Sequence, residues 1–193
     1  MTIDLKKDLP GLYRPSGREF VEVVVPPMRY LSVSGHGDPN TSPLYRAALE
    51  QLYPAAYAVR KRFRARTGEV FVVGPLEGLW WADDPADFVA RRKDNWRWQM
   101  LIPLPAQVVE SDLAGVDVDV ALIDEGRCLQ IMHTGPYDDE GPTLARLHAE
   151  VMPRLGVTFN GPHHEIYLGD PRRSAPERLR TDCVSPCAVS NRG

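Results

Sequence analysis

An α+β fold made of two pseudo-symmetric β-α-β-β units that enclose a central ligand cleft is the architecture this sequence predicts. Three observations carry it. The order of elements in the first half returns in the second. RYLSVSGHG (Arg29 to Gly37) lies over RCLQIMHTG (Arg127 to Gly135), with Arg, Leu and Gly coincident and Val33 over Ile131. Farther on, PLEGLW (Pro75 to Trp80) lies over HHEIYL (His163 to Leu168), which superposes Glu77 on Glu165. A single domain over residues 18–193 is expected, with halves at about 18–108 and 114–185 and a polar, Gly- and Pro-rich N-terminal arm over 1–17.

Each element has a local reason. FVEVVVPPMRYLSVSG (Phe20 to Gly35) reads as two strands interrupted at Pro26-Pro27, because proline removes a ladder donor. Asn40 to Pro43 supplies capping residues and an early proline, which start a helix. Leu44, Ala48, Leu52, Tyr53, Ala56 and Tyr57 recur at helical spacing, with Pro54 expected to kink or restart the helix. Strands follow at Glu69 to Val73, Leu79 to Trp81 and Asn95 to Pro105, with a short helix or loop over Asp83 to Lys93. In the second half, Val116 to Ile123 and Arg127 to His133 are strands joined by the Asp124-Glu125-Gly126 turn. Asp138 to Leu155 is a helix with Asp138 and Asp139 as its caps, and Glu165 to Leu168 and Glu177 to Val184 close the sheet.

Composition narrows the function. The chain has 193 residues, 43% of them hydrophobic and 25% charged, with a net charge of −3. That balance is ordinary for a soluble domain and gives no basic field for nucleic acid. No apolar run is long enough to span a bilayer, and MTIDLKKDLP has no signal-peptide core, so a cytoplasmic protein is expected. Cys183 and Cys187 lack a second pair or suitably spaced histidines, and His133, His163 and His164 offer no metal spacing; neither metal nor cofactor is expected.

Alternation along the strands points to a site. Ile166 and Leu168 share one face, while Glu165, Tyr167 and His163 share the other. The aliphatic pair is expected against a helix, leaving Glu165 on the helix-free face, where two such units would line a cleft. Trp96, Trp98 and Met100 divide their strand in the same way. A mostly apolar concavity with few polar groups is the usual small-molecule site.

The run HTGPYDDEGPTLARLHAE followed by HHEIYLGDPRRSAPERLRT resembles the GyrI-like small-molecule-binding family, as do LYPAAYAVRK and PLEGLWW, over about Phe20 to Thr181. The resemblance implies a duplicated β-α-β-β fold around a cleft, with no metal. Members of that family include drug-binding effector domains, a gyrase-inhibitory protein and stand-alone hydrolases of cyclopropanoid genotoxins. The chain looks most like the stand-alone branch, since nothing in it reads as a helix-turn-helix.

What the resemblance implies can be stated by residue. Glu165 would activate water toward a cyclopropane carbon, and Tyr57, which matches the family's AYA position, would donate to the developing oxyanion. Glu77, Trp80, Trp98, Tyr53, Tyr167, Met132 and His163 form the expected ligand-binding set, around a planar hydrophobic or cationic molecule. Alternatives stand beside these roles. Glu165 could be an ion-pair partner of Arg172, Arg173 or Arg178, Glu77 a turn residue and Tyr53 a core residue. One of Trp80 and Trp81 would meet ligand and the other the core. The rival to hydrolysis is a module that sequesters or senses lipophilic cations without turnover. A monomer or a homodimer is compatible with everything above.

Overall fold

The computed structural model describes residues 2–169 and 173–190. Its strands, in chain order, are β1 (Thr2–Ile3), β2 (Val21–Val25), β3 (Met28–His36), β4 (Val70–Phe71), β5 (Leu76–Ala82), β6 (Trp96–Leu104), β7 (Asp119–Ile123), β8 (Gly126–Thr134), β9 (Val157–Phe159), β10 (His163–Tyr167) and β11 (Arg180–Val189). They are distributed over two compact units, one of residues 1–8 and 27–123, the other of residues 9–26 and 124–193. No helix among the described residues is long and apolar enough to cross a membrane.

In the first unit the strands run in the order β5-β6-β3-β7, all antiparallel. The long helix Pro43–Thr67 packs on β3 and β6. It begins where the sequence places it: Ser42 is the extended N-cap and Pro43 fills the first turn, where a missing N–H costs nothing. It ends at Gly68, whose left-handed backbone (φ 74°) lets its N–H close on the Arg64 carbonyl. The helix passes through Pro54 as one element and does not restart, because Leu52, Ala55, Ala56 and Val59 on either side of the proline are all buried. A second anchor is electrostatic. Arg66 grips Asp112 with two hydrogen bonds, Nε to Oδ1 at 2.9 Å and Nη2 to Oδ2 at 2.6 Å, and Asp112 also accepts the Val109 N–H. The arginine and that backbone bond hold the Asp112 carboxyl below its ordinary range.

In the second unit the order is β2-β8-β11-β10, again antiparallel, with β9 paired to the far end of β11. Strand β2, first in the sequence order of the first half, pairs with β8 in this unit. The last strand is longer than expected, reaching Val189, and carries both Cys183 and Cys187 into the core. The expected helix Asp138–Leu155 is segmented. A 3₁₀ turn (Tyr137–Glu140) leads into α-helix (Gly141–Arg146), then a π turn (Leu147–Val151), then α-helix again (Met152–Leu155). Pro153 explains the wide turn: it has no N–H to give and its ring crowds the preceding carbonyls, so Met152 bonds five residues back, to Leu147. Asp138 and Asp139 are not the expected caps. The 3₁₀ turn opens at Pro136 without a side-chain cap, and the two aspartates are exposed in its first turn.

The N-terminal segment is not a loose arm. Thr2–Ile3 pairs in parallel with Val70–Phe71 in the first unit. In the second, Leu12 and Tyr13 are buried, Gln130 donates to the Gly11 carbonyl and the Met132 N–H to the Ser16 carbonyl. Two large apolar residues in an otherwise polar stretch are enough to seat it.

Candidate functional site

Cross-strand register decides which face each site residue occupies. Glu165 stands opposite Cys183, which stands opposite Ile131; two residues along, Ser185 stands opposite Leu129. Leu129 and Cys187 pack with Leu147, Val151 and Met152 of the segmented helix. Alternation therefore puts His163, Glu165 and Tyr167 on the helix-covered face of the second unit, not on a helix-free face as expected. Both faces of the strand are covered. The other one, with His164, Ile166, Gln130 and Met132, lies under the N-terminal segment, where Gly17 sits against Met132. Ile166, on that same face, is fully buried. Met132 is thereby on the opposite face from Glu165.

Around Glu165 the geometry is compact. The Tyr167 hydroxyl donates to Glu165 Oε2 at 2.8 Å, and His163 Nε2 lies 3.6 Å from Oε1. The Glu165 side chain is 13% exposed, so it is mostly desolvated but not sealed. Tyr137 packs edge-on against Tyr167, their ring centroids 5.4 Å apart at 75°, and so braces the hydroxyl that holds the carboxylate. His163 is fully buried. Burial first, then the neighbouring His164 and His148, lower its pKa to about 3, so the ring beside Glu165 is neutral. Its Nδ1 faces the Ser185 hydroxyl at 3.4 Å.

Beneath this row lies a part of the site that the sequence did not disclose. Glu140, the last acid of the YDDE run, is buried at the end of the 3₁₀ turn. Its carboxylate, one ring nitrogen of His163 and the Cys183 sulfur lie within 4.8 Å of one another. Burial, with Glu140, Glu165 and Asp182 nearby, pushes the Cys183 thiol well above its ordinary pKa, so on its own it stays protonated. The signal available in the sequence was the third acid of YDDE, three residues past a tyrosine and so able to turn inward while its neighbours face out. On the other face, His164 Nδ1 meets Glu125 Oε2 at 2.8 Å. Arg172 lies outside the described residues, and Arg178 is exposed.

The remaining candidates lie in the first unit. Trp80, Trp98 and Gly35 form one cross-strand row. Tyr45 from the long helix meets Trp98 edge-on at 5.4 Å and Trp80 at 6.0 Å, and Trp96 joins Trp80 at 5.9 Å. Trp98 is fully buried, and a side chain at Gly35 would come within 2.2 Å of its ring, so this row is closely packed core under the helix. Trp81, half-buried, points to the other face, as does Glu77. Tyr53 is half-buried on the long helix and Tyr57, one turn on, is 56% exposed.

Register also corrects the alignment of the two acids. Val33 stands opposite Met100, and Met100 opposite Gly78; Ile131 stands opposite Cys183, and Cys183 opposite Glu165. With Val33 over Ile131, Gly78 is the counterpart of Glu165, and Glu77, fully buried, is the counterpart of His164. A slip of one residue reverses the face, so the two glutamates are not pseudo-symmetric.

Residues 18–187 match the model of the GyrI-like small molecule binding domain. An uncharacterized conserved protein from Listeria innocua is similar at 34% identity and a TM-score of 0.85, over 96% of this chain and 100% of that one. Two structures described as hydrolases from Listeria innocua are similar as well. One has 33% identity and a TM-score of 0.79, over 96% of this chain and all (100%) of its own. The other has 32% identity and a TM-score of 0.82, over 97% of this chain and 100% of that one. Among curated proteins, none is significantly similar.

Proposed function

The chain belongs to the GyrI-like small-molecule-binding family, and from that premise we propose that it binds planar hydrophobic molecules and hydrolyses cyclopropanoid genotoxins, with Glu165 as general base. The observation that carries this reading is the held carboxylate. Tyr167 fixes one oxygen of Glu165 and leaves the other toward a neutral imidazole, in a site from which most water is excluded. A carboxylate so placed is suited to taking a proton from water as that water attacks carbon. The new O–C bond forms as the strained C–C bond breaks. Its electron pair moves into the conjugated carbonyl, which becomes a phenol once protonated, and Glu165 holds the proton lost by water. Solvent supplies the proton to that oxygen. The likeness to proteins described as hydrolases, at 33% and 32% identity, supports turnover.

A second reading keeps the site and drops the chemistry. An acid beside an edge-to-face pair of tyrosines also suits a lipophilic cation, which would be sequestered without change. One experiment separates them. The protein is incubated with a cyclopropanoid alkylator and the small molecule followed by mass spectrometry. A product heavier by one water, accumulating over many turnovers, supports hydrolysis; saturable binding with the compound recovered intact supports the cation module. A cytoplasmic setting belongs to the same proposal.

A further inference from the structure

We propose that Glu140, His163 and Cys183 form a binding site for a divalent cation of the zinc class. The inference goes beyond the hydrolytic reading and does not depend on it. Three observations carry it. First, the ligating atoms of the three side chains, an oxygen, a nitrogen and a sulfur, already lie within 4.8 Å of one another. Second, the donor set is selective: a thiol, an imidazole and a carboxylate suit zinc and cobalt, whereas magnesium and calcium take oxygen ligands. Third, His163 Nδ1 already has a partner, Ser185 Oγ at 3.4 Å, which leaves Nε2, 3.6 Å from Glu165 Oε1, as the proposed ligating nitrogen. A hydrogen bond to the far nitrogen is the usual means of aiming a ligating imidazole.

Charge supports the same assignment. A dication bound by one thiolate and one carboxylate is neutral as a unit, which suits three residues that are each at most 3% exposed. The thiol proton would leave with the buffer as the sulfur–metal bond forms. Glu165, whose Oε1 lies 3.6 Å from His163 Nε2, is placed to hold a metal-bound water. Entry is also accounted for. Glu140 sits on a single 3₁₀ turn between exposed Asp138 and Asp139 and the start of the α-helix, and such turns open more readily than helix interiors. Sequence spacing could not have revealed the set, because its members come from a turn and two strands, 20 or more residues apart.

The test uses the full chain, stripped with chelator and titrated with Co²⁺. A single equivalent is expected to bind, giving the visible bands of a tetrahedral centre and a near-ultraviolet sulfur-to-cobalt band. Zn²⁺ should bleach both and raise the melting temperature. Cys183→Ser should abolish the sulfur band, whereas Cys128→Ser, which leaves the three ligands in place, should keep it. Ser185→Ala retains every ligand and should weaken binding by roughly 10–100-fold, the scale for losing the partner of a ligating histidine. Circular dichroism of the stripped proteins checks that each variant is folded. No sulfur band in the parent protein, or a band that survives Cys183→Ser, would overturn the proposal. Turnover is not among the readouts, so failure here leaves the hydrolytic reading to its own experiment.

Discussion

At the scale of single residues, Glu165 is where function and stability make opposite forecasts. Glu165→Gln keeps the size and the acceptor for Tyr167 while removing the charge and the capacity to take a proton. The melting temperature should be unchanged or higher, and the rate of water addition should fall by roughly 10²-fold or more. Early melting with turnover intact would make the residue a structural strut. Asp112 gives a forecast of a different kind. Arg66 holds its folded pKa below the value near 3.8 expected unfolded, so the unfolded chain binds the proton more tightly. The pair's stabilisation is complete above that pH and is lost as pH falls through the lower, folded pKa. Asp112→Asn should therefore cost about 1.5–3 kcal/mol at pH 7, the range for hydrogen bonds to charged groups, and progressively less on acidification below pH 4. Chemical denaturation of both proteins across that range reads the difference. At this scale the sequence was partly legible. Glu165 and Tyr167, two apart on a strand, had to share a face, and they do share a hydrogen bond. Cys183 and Glu140 were not legible as their neighbours, because 43 positions separate them and only β11 and the 3₁₀ turn bring them together.

At the scale of elements, the long helix makes the sharpest prediction. Pro54 is exposed and leaves the carbonyl four residues earlier without its helical donor. Pro54→Ala should stabilise the first unit, by at most about 3 kcal/mol, the difference between the two residues in a helix interior. A lower denaturation midpoint would mean that the proline ring itself is needed for packing. Most element boundaries were readable from periodicity, caps and prolines, the start at Ser42-Pro43 and the break at Pro26-Pro27 among them. Faces were less readable. The rule that aliphatic residues mark the helix side presumes one covered face, and β10 has two, so Ile166 and Glu165 exchanged places. The aromatic side of β6 met the same difficulty: Trp98 packs beneath Tyr45 and is wholly buried, which an open cleft wall would not be. Glu77 misled by identity alone, since the local match of PLEG to HHEI is one residue out of the register that hydrogen bonding enforces.

For the molecule as a whole, the N-terminal segment is the element whose removal is most informative. Composition marks residues 1–17 as an arm, from which a harmless deletion is expected. The structure forecasts otherwise. Burying Leu12 alone is worth about 1.5–3 kcal/mol, and Tyr13, the bond from Gln130 and the β1 pairing add to it. Removing 1–17 should lower the unfolding midpoint substantially and expose apolar surface, measurable as dye binding to the truncated protein. An unchanged midpoint would mean that the segment is only draped. Length and composition could not separate these outcomes, because seating a polar stretch takes only a couple of apolar side chains.

The pairing of β2 with β8 has a consequence for how the chain is made. Val21–Val25 emerges from the ribosome early, yet its partner, Gly126–Thr134, follows roughly a hundred residues later, at ordinary translation rates several seconds to some twenty seconds behind. Throughout that interval VEVVV is an unpaired, β-branched strand with a single charge, the kind of segment that associates with its like on neighbouring nascent chains. Glu22 is its second residue, and once the chain is complete it receives Arg127 at 2.7 Å. During synthesis the same acid would serve as a gatekeeper. Glu22→Val should leave the melting temperature of the finished protein nearly unchanged, since an exposed pair of this kind contributes little. Its effect should fall instead on soluble yield, most of all where translation is fast and crowded.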